Sequence, residues 1–202
     1  LVEQVLKQVP EIKRLRFGSM DPAGIDDKLI GLFGEYETLM PHMHLSIQSG
    51  DNDVLRRMGR RHKREDVIRL AEKLRAVRPG FVLGSDFIAG FPTETEKMFE
   101  NTLDLVEQAQ IILLHVFPFS VRPGTPSAKM EMVDMHQRKE RARRLREKGH
   151  ELLQSYLQTQ VGKSSVVLVE KDNKGFNEHY IPTHLIGDVA EGQIITVTNT
   201  GV

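Results

Sequence analysis

The sequence predicts an α/β fold, an open parallel layer or barrel segment of alternating helices and strands, followed by a small antiparallel β-barrel. Three observations carry this expectation. Up to about residue 130, stretches with apolar residues at helical spacing alternate with short apolar runs. Two of those runs, "FVLGSDFIAGF" and "IILLHVFPFS", are nearly uninterrupted, as parallel strands buried on both faces are. Beyond Gly162 the pattern changes to short β-type runs punctuated by Gly175, Gly187 and Gly192.

The elements follow in order. Val2, Val5, Leu6 and Val9 share a helical face, with no capping residue ahead of them. The chain reads as though it opens inside a helix, and a fragment of a longer protein is expected. "KRLRFGSMDP" reads as a short strand ending in a Gly-Ser turn. Residues 26 to 40 place Leu29, Leu32, Phe33, Tyr36 and Leu39 on one helical face. "HMHLSIQSG" is a strand that breaks at Ser49-Gly50, and residues 66 to 78 form a second amphipathic helix through Val67, Leu70, Ala71, Leu74 and Val77. The third strand stops abruptly at Gly90-Phe91-Pro92, and Thr93 with Glu96 predicts a capping box for the helix after it. A fourth strand leads to "VRPGTP".

A long helix over 134–160 turns Ala142, Leu145, Leu152, Tyr156 and Leu157 inward and its charges outward. The runs "SSVVLVE", "FNEHYIP" and "QIITVTN" then form the small β-domain. The expected division is 1–133 for the parallel part, 134–160 for a connecting helix and 161–202 for the β-domain, which is expected to be incomplete at its end. In parallel α/β folds, loops at the carboxyl ends of strands build the site. The turns at 18–22, 48–50, 89–95 and 119–126 are therefore expected to converge.

Composition narrows the function. Lys+Arg and Asp+Glu balance at 28 each, so only local clusters can point to nucleic acid. A hydrophobic content of 39% supports a real core. No apolar run approaches a membrane span or a signal peptide, so a cytoplasmic location and no membrane partner are expected. The chain has no cysteine, which excludes disulfides, thiol nucleophiles and thiolate metal sites within it. It also lacks the usual ligands of an iron–sulfur cluster.

Several side chains have the chemistry for a site. Asp86 lies in an apolar strand, where an unpaired carboxylate is costly. It either accepts hydrogen bonds from a ligand at the sheet's mouth or pairs with an arginine on a neighbouring strand. Gly90 lets a ligand approach the backbone, and Pro92 fixes the exit into the helix. Ser46 and Gln48 share one side of their strand, suited to a ribose or carboxylate, although a serine bonded to its own backbone reads the same way. His42 and His44 lie on that side too and, without cysteine or a carboxylate at ligand spacing, read as structural. "RRMGRRHKR", residues 56 to 64, holds six Lys/Arg and no acid. It is a solvated helix face, an RNA-facing patch, or the source of a carboxylate clamp at Arg60. In "QRKERARRLREK", Glu140 and Glu147 interleave with the bases as surface helix pairs do.

Taken in order and spacing, "HLSIQSG…LRRMGRRH", "SDFIAGFPTET" and "HVFPFSVRPGTP" resemble the radical S-adenosylmethionine methylthiotransferases that modify tRNA or a ribosomal protein. "GKSSVVLVE…YIP…GQIITVTNTG" looks like their TRAM domain. "HVFPFS", "RLAEKLRAVRPG" and "IAGFPTETE" are most similar to the threonylcarbamoyladenosine tRNA branch, with the isopentenyladenosine and ribosomal-protein branches as alternatives.

The resemblance implies a partial (β/α) radical-SAM barrel with a TRAM-like β-barrel. It also implies S-adenosylmethionine and two [4Fe–4S] clusters as cofactors of the intact enzyme, a reductant protein, and the anticodon stem-loop of tRNA as partner. The implied reaction cleaves S-adenosylmethionine homolytically, removes the C2 hydrogen of modified adenosine 37 and installs a methylthio group there. The family's cluster cysteines are absent, so the fragment is expected to hold no cluster and to be inactive alone. The resemblance places Ser19, Ser46, Gln48, Arg60, Asp86 and Gly90 around S-adenosylmethionine. It places Phe119 and Arg122 at the mouth where the target base enters, and Lys163, Lys171, Lys174 and Tyr180 on RNA. It implies no catalytic side chain and no protein-held metal in this segment. Two other classes remain: a cluster-free RNA-binding module, and a barrel enzyme holding a phosphate-bearing substrate on Arg56, Arg57 and Arg60.

Overall fold

The structure, a computed structural model, describes residues 1–201; Val202, the last residue of the expected β-domain, lies outside the described residues. The first half is a four-stranded parallel sheet of β1 (Ser19–Met20), β2 (His42–Gln48), β3 (Val82–Ala89) and β4 (Ile111–Pro118), in that spatial order. Helices α1 (Val2–Gln8), α2 (Asp27–Glu35), α3 (Asn52–Arg57), α4 (Arg64–Val77) and α5 (Glu96–Gln108) come between or before the strands. Sequential parallel strands in spatial order require a crossover at every step, and the helices supply it.

Period-two alternation sorts the side chains. Met43, Leu45, Ile47, Leu83 and Phe87 are buried in one core with Phe33, Leu74 and Phe99 from α2, α4 and α5. The opposite face carries His44, Ser46, Asp86 and Ile88, all part-exposed. On β4 that face is wetter than its apolar run predicts: His115 is exposed, as is Phe117 at 54%.

Two local expectations are corrected. The cap of α5 is Thr95, whose hydroxyl accepts from Met98 N–H at 3.3 Å, and not the Thr93–Glu96 box. Thr93 lies two residues earlier in a left-handed turn with φ 65°, donating its N–H to the Glu131 carbonyl at 2.9 Å. The basic run also does not form one helix face. It breaks at Gly59 into α3 and α4, so its arginines point to different neighbours.

Helix α6 (Met135–Gln160) runs back from the carboxyl to the amino ends of the strands. Asp134 caps it, accepting from His136 N–H at 2.7 Å. Its inward face includes the expected Ala142 and Leu145, but Arg138 and Arg141 are buried as well. Arg138 donates to the Phe119 carbonyl at 2.9 Å, Arg146 to the Val116 carbonyl at 2.7 Å, and Gly149 lies against Leu114.

The second sheet has β5 (Ser164–Val169), β6 (Lys174–Asn177), β7 (Pro182–His184) and β8 (Ile194–Thr198) in the antiparallel order β7-β6-β5-β8. Among the described residues β7 and β8 do not pair, so this is an open sheet and the expected closed barrel is not observed. It docks at the amino ends of the parallel strands. Arg14 donates to the Phe176 carbonyl at 3.2 Å and also to Val166, and Arg16 donates to the Asn177 carbonyl at 3.3 Å. The Arg16 guanidinium sits 4.5 Å from the centre of the Tyr180 ring, which stacks on Phe176 at 4.6 Å.

Candidate functional site

The carboxyl ends of β1 and β2 bring Ser19 and Ser46 together. Ser19 pairs with His44 in register, which sets its hydroxyl 2.7 Å from that of Ser46. Gln48 ends β2 in the left-handed region at φ 74°, past a register shift that begins after Leu45. An L-residue held there costs about 1–2 kcal/mol, and such strain concentrates where a side chain must be aimed. Arg60 follows α3 and is part-exposed. Its neighbours tie the segment down: Arg61 pairs with Asp21 at 3.0 Å, and His62 meets the Ile47 carbonyl at 3.2 Å.

Of the arginines in 56–64, four are engaged. Arg56 pairs with Asp53 at 2.9 Å, Arg57 donates to the Thr93 hydroxyl at 2.7 Å, Arg61 holds Asp21, and Arg64 holds Asp104. Among the described residues Arg60 alone of that set has a guanidinium without a hydrogen-bonded or ionic partner. A part-exposed guanidinium without a partner can take a carboxylate through two parallel N–H bonds, and the paired Ser19 and Ser46 hydroxyls can bond a ligand's hydroxyls. With no cysteine, none of the chain's residues fits the thiolate ligation of an iron–sulfur cluster.

Asp86 lies deeper on the same face. Its partners are histidines and not the arginine that sequence reading offered: Oδ1 is 3.0 Å from His44 Nε2 and 3.3 Å from His115 Nδ1. His44 joins Asp86 and His115 in a His–Asp–His cluster. His115 was missed because its meeting with Asp86 depends on the β3–β4 register. His42 keeps its structural reading. It is 2% exposed, lies 5.3 Å from the Tyr180 ring, and burial drives its pKa down to about 3.

The turn after β3 is held from behind. Gly90 has φ 73°, and what approaches its backbone is Arg138 of α6, which an added Cβ would overlap. Its N–H donates to the Glu94 carboxylate at 2.9 Å, and that carboxylate takes Arg141 Nη1 at 3.0 Å. Burial pushes Glu94 up to about 7, against the pull of the Gly90 N–H and Arg141. Neither Glu94 nor Arg141 stood out in sequence, although a Glu in the break before a helix is a readable signal. Phe119 packs edge-on against Phe91 with centroids 5.4 Å apart and is 9% exposed, while Arg122 is exposed beyond β4.

Lys163, Lys171, Lys174 and Tyr180 do not join this group. They belong to the second sheet, whose docking at the amino ends puts its interface with the parallel sheet a strand's length away, roughly 20 Å. Lys163, Lys171 and Lys174 are exposed, and Tyr180 is exposed too, although its ring stacks on Phe176 and lies under the Arg16 guanidinium.

The family description "Radical SAM superfamily" matches residues 3–106. The threonylcarbamoyladenosine tRNA methylthiotransferase of Rickettsia prowazekii is 46% identical over 202 residues, covering 100% of this chain and 48% of the relative. The protein of the same name from Thermotoga maritima is 38% identical, covering 92% of this chain and 44% of its own length. A tRNA-2-methylthio-N(6)-dimethylallyladenosine synthase of Erythrobacter litoralis is 39% identical, covering 98% and 46%. The chain thus spans about half the length of the curated relatives it matches. Among solved structures, the radical SAM enzyme coproporphyrinogen III oxidase of Escherichia coli superposes with a TM-score of 0.58 at 20% identity, covering 76% of this chain and 36% of that one. That likeness is one of fold.

Proposed function

We propose, from the premise that this chain belongs to the radical SAM superfamily, that it is the S-adenosylmethionine-binding sheet and β appendage of a tRNA methylthiotransferase. The target is threonylcarbamoyladenosine at position 37 of the anticodon loop, which gains a methylthio group at C2, and the work is done in the cytoplasm. The observation that carries this reading is the Ser19–Ser46 hydroxyl pair at the strand ends, in a chain similar along its whole length to a relative of that name. The identity of 46% to that relative, against 39% to the dimethylallyladenosine synthase, favours the threonylcarbamoyl branch.

The chain's residues bind and orient. The paired hydroxyls of Ser19 and Ser46, with the Gln48 amide, hold the ribose, and Arg60 grips the carboxylate with two parallel N–H bonds. S-adenosylmethionine bound there would supply, with an electron from the cluster of the complete enzyme, the radical that removes the C2 hydrogen, and a second S-adenosylmethionine would supply the methyl group. Glu94 and Arg141 fix the Gly90 turn that flanks the adenosine, so Gly90 acts through backbone placement. Asp86 sets the wall beneath it through its two imidazoles. Phe119, backed by Phe91, walls the mouth, and exposed Arg122 meets the anticodon loop. Lys163, Lys171 and Lys174 contact RNA phosphates, and Tyr180 serves by seating the second sheet. The two [4Fe–4S] clusters and the reductant protein belong to the complete enzyme, and this chain is inactive without the cluster ligands.

Equilibrium dialysis of the chain with labelled S-adenosylmethionine tests the assignment. Arg60→Ala should weaken binding about 10- to 100-fold, since a hydrogen bond to a charged group contributes about 1.5–3 kcal/mol. Arg57→Ala, whose guanidinium is turned to Thr93, should bind as the parent does. Equal binding by Arg60→Ala and the parent would remove Arg60 from the site.

A further inference from the structure

We propose that His44, Asp86 and His115 form a binding site for a divalent first-row metal ion of the zinc or ferrous class, separate from any iron–sulfur cluster and sharing Asp86 with the wall of the proposed S-adenosylmethionine site. The three come from adjacent strands and meet on the open face of the parallel sheet. His44 pairs with Gly84 in register, and two residues on, Asp86 pairs with His115. The missing side chain at position 84 is what admits the His44 ring: a Cβ there would stand 2.8 Å from His44 Nδ1.

One potential ligand atom from each residue lies within 4.8 Å of the other two. His44 Nε2 and His115 Nδ1 stand 3.0 and 3.3 Å from the same oxygen, Asp86 Oδ1. With metal–ligand bonds near 2.1 Å, neighbouring ligands are about 3.0 Å apart in an octahedral site and about 3.4 Å in a tetrahedral one. The two carboxylate–imidazole spacings fall within that range, and the two imidazoles lie within 4.8 Å of each other, so an ion can be held by small side-chain adjustments. Two imidazoles and one carboxylate prefer zinc, ferrous or cobaltous ions to magnesium or calcium, which take mostly oxygen. Access is open as well: the side chains of His44, Asp86 and His115 are 16%, 25% and 64% exposed, which leaves positions for water or a substrate atom. The site sits one residue pair below the Ser19–Ser46 hydroxyls on β2, about 7 Å along the strand.

A hydrogen-bonded His–Asp–His trio without metal has the same geometry, and metal titration separates the two. Zn2+ alone is titrated into the chain by calorimetry, with Co2+ absorption as a second readout; with no cysteine present, no thiolate competes. The expected result is one ion per chain, retained in His184→Ala, an exposed histidine on β7. Binding should weaken more than about tenfold in His115→Ala and in Asp86→Asn, since even outer-shell changes cost about 10–100-fold. His115 is exposed, so its removal leaves the core intact, and circular dichroism verifies folding of each variant. Absence of binding, or binding that survives His115→Ala, overturns the proposal. S-adenosylmethionine binding by His115→Ala is measured alongside, so that loss of one ligand is not mistaken for loss of the other.

Discussion

Glu94 shows how much of the site is set by single buried groups. Its side chain is 1% exposed and bridges the Gly90 N–H to Arg141, and burial raises its pKa from 4.5 to about 7. A carboxyl raised in the folded state favours folding while it is protonated. The stabilisation is therefore complete below about 4.5 and is lost as pH rises to about 7. Denaturant unfolding across that window should show the parent losing up to about 3 kcal/mol relative to Glu94→Gln, whose amide does not titrate. Parallel pH profiles for the two proteins would contradict the shift. Legibility at this scale was mixed. Strand alternation singles out Ser46 and Gln48 and charge clustering singles out Arg60, but the Ser19–Ser46 contact depends on β1–β2 register. Asp86 was readable as a buried charge, but its partners were not. Pairing with His115 rather than an arginine depends on β3–β4 register, and a shift between Leu83 and Gly84 breaks the simple count.

Among the elements, strands and helices were legible because apolar period and length agree, and their ends were less so. Thr93 was read as the α5 cap on spacing alone, yet the abrupt exit from β3 needs a left-handed residue first, which moves the cap to Thr95. Thr95→Ala should cost about 1 kcal/mol in stability. Helix α6 was misread on one face for a physical reason. Arg138 and Arg141 reach backbone carbonyls and Glu94 in the loops they pack on, so charge there does not mean solvent. Gly90 is the counterpart of that packing. Gly90→Ala meets both the left-handed backbone, about 1–2 kcal/mol, and overpacking against Arg138, about 1–3 kcal/mol. In thermal melts the double variant Gly90→Ala/Arg138→Ala should recover only the steric part of the loss attributable to Gly90→Ala. Full additivity of the two single losses would show that they do not touch.

The whole molecule is two sheets joined by one helix and a compact interface. The alternation and the composition change beyond Gly162 make both sheets legible, but not where the second one sits, since nothing in sequence marks Arg14 and Arg16 as reaching carbonyls on it. Tyr180→Ala removes a stacked ring and a cation–π contact, together about 1–2 kcal/mol. Hydrogen exchange should then quicken in β6 and leave β3 unchanged. Docking at the amino ends keeps the second sheet away from the strand ends proposed to bind S-adenosylmethionine, so the residues proposed for RNA and for cofactor lie on separate parts of the chain. The most direct test expresses the complete gene product carrying this chain in cells that lack their own threonylcarbamoyladenosine methylthiotransferase, and analyses tRNA nucleosides by mass spectrometry. The proposed function predicts 2-methylthio-threonylcarbamoyladenosine with the parent sequence and its loss with Arg60→Ala. Unmodified threonylcarbamoyladenosine in the parent cells, with folded protein present, would contradict it.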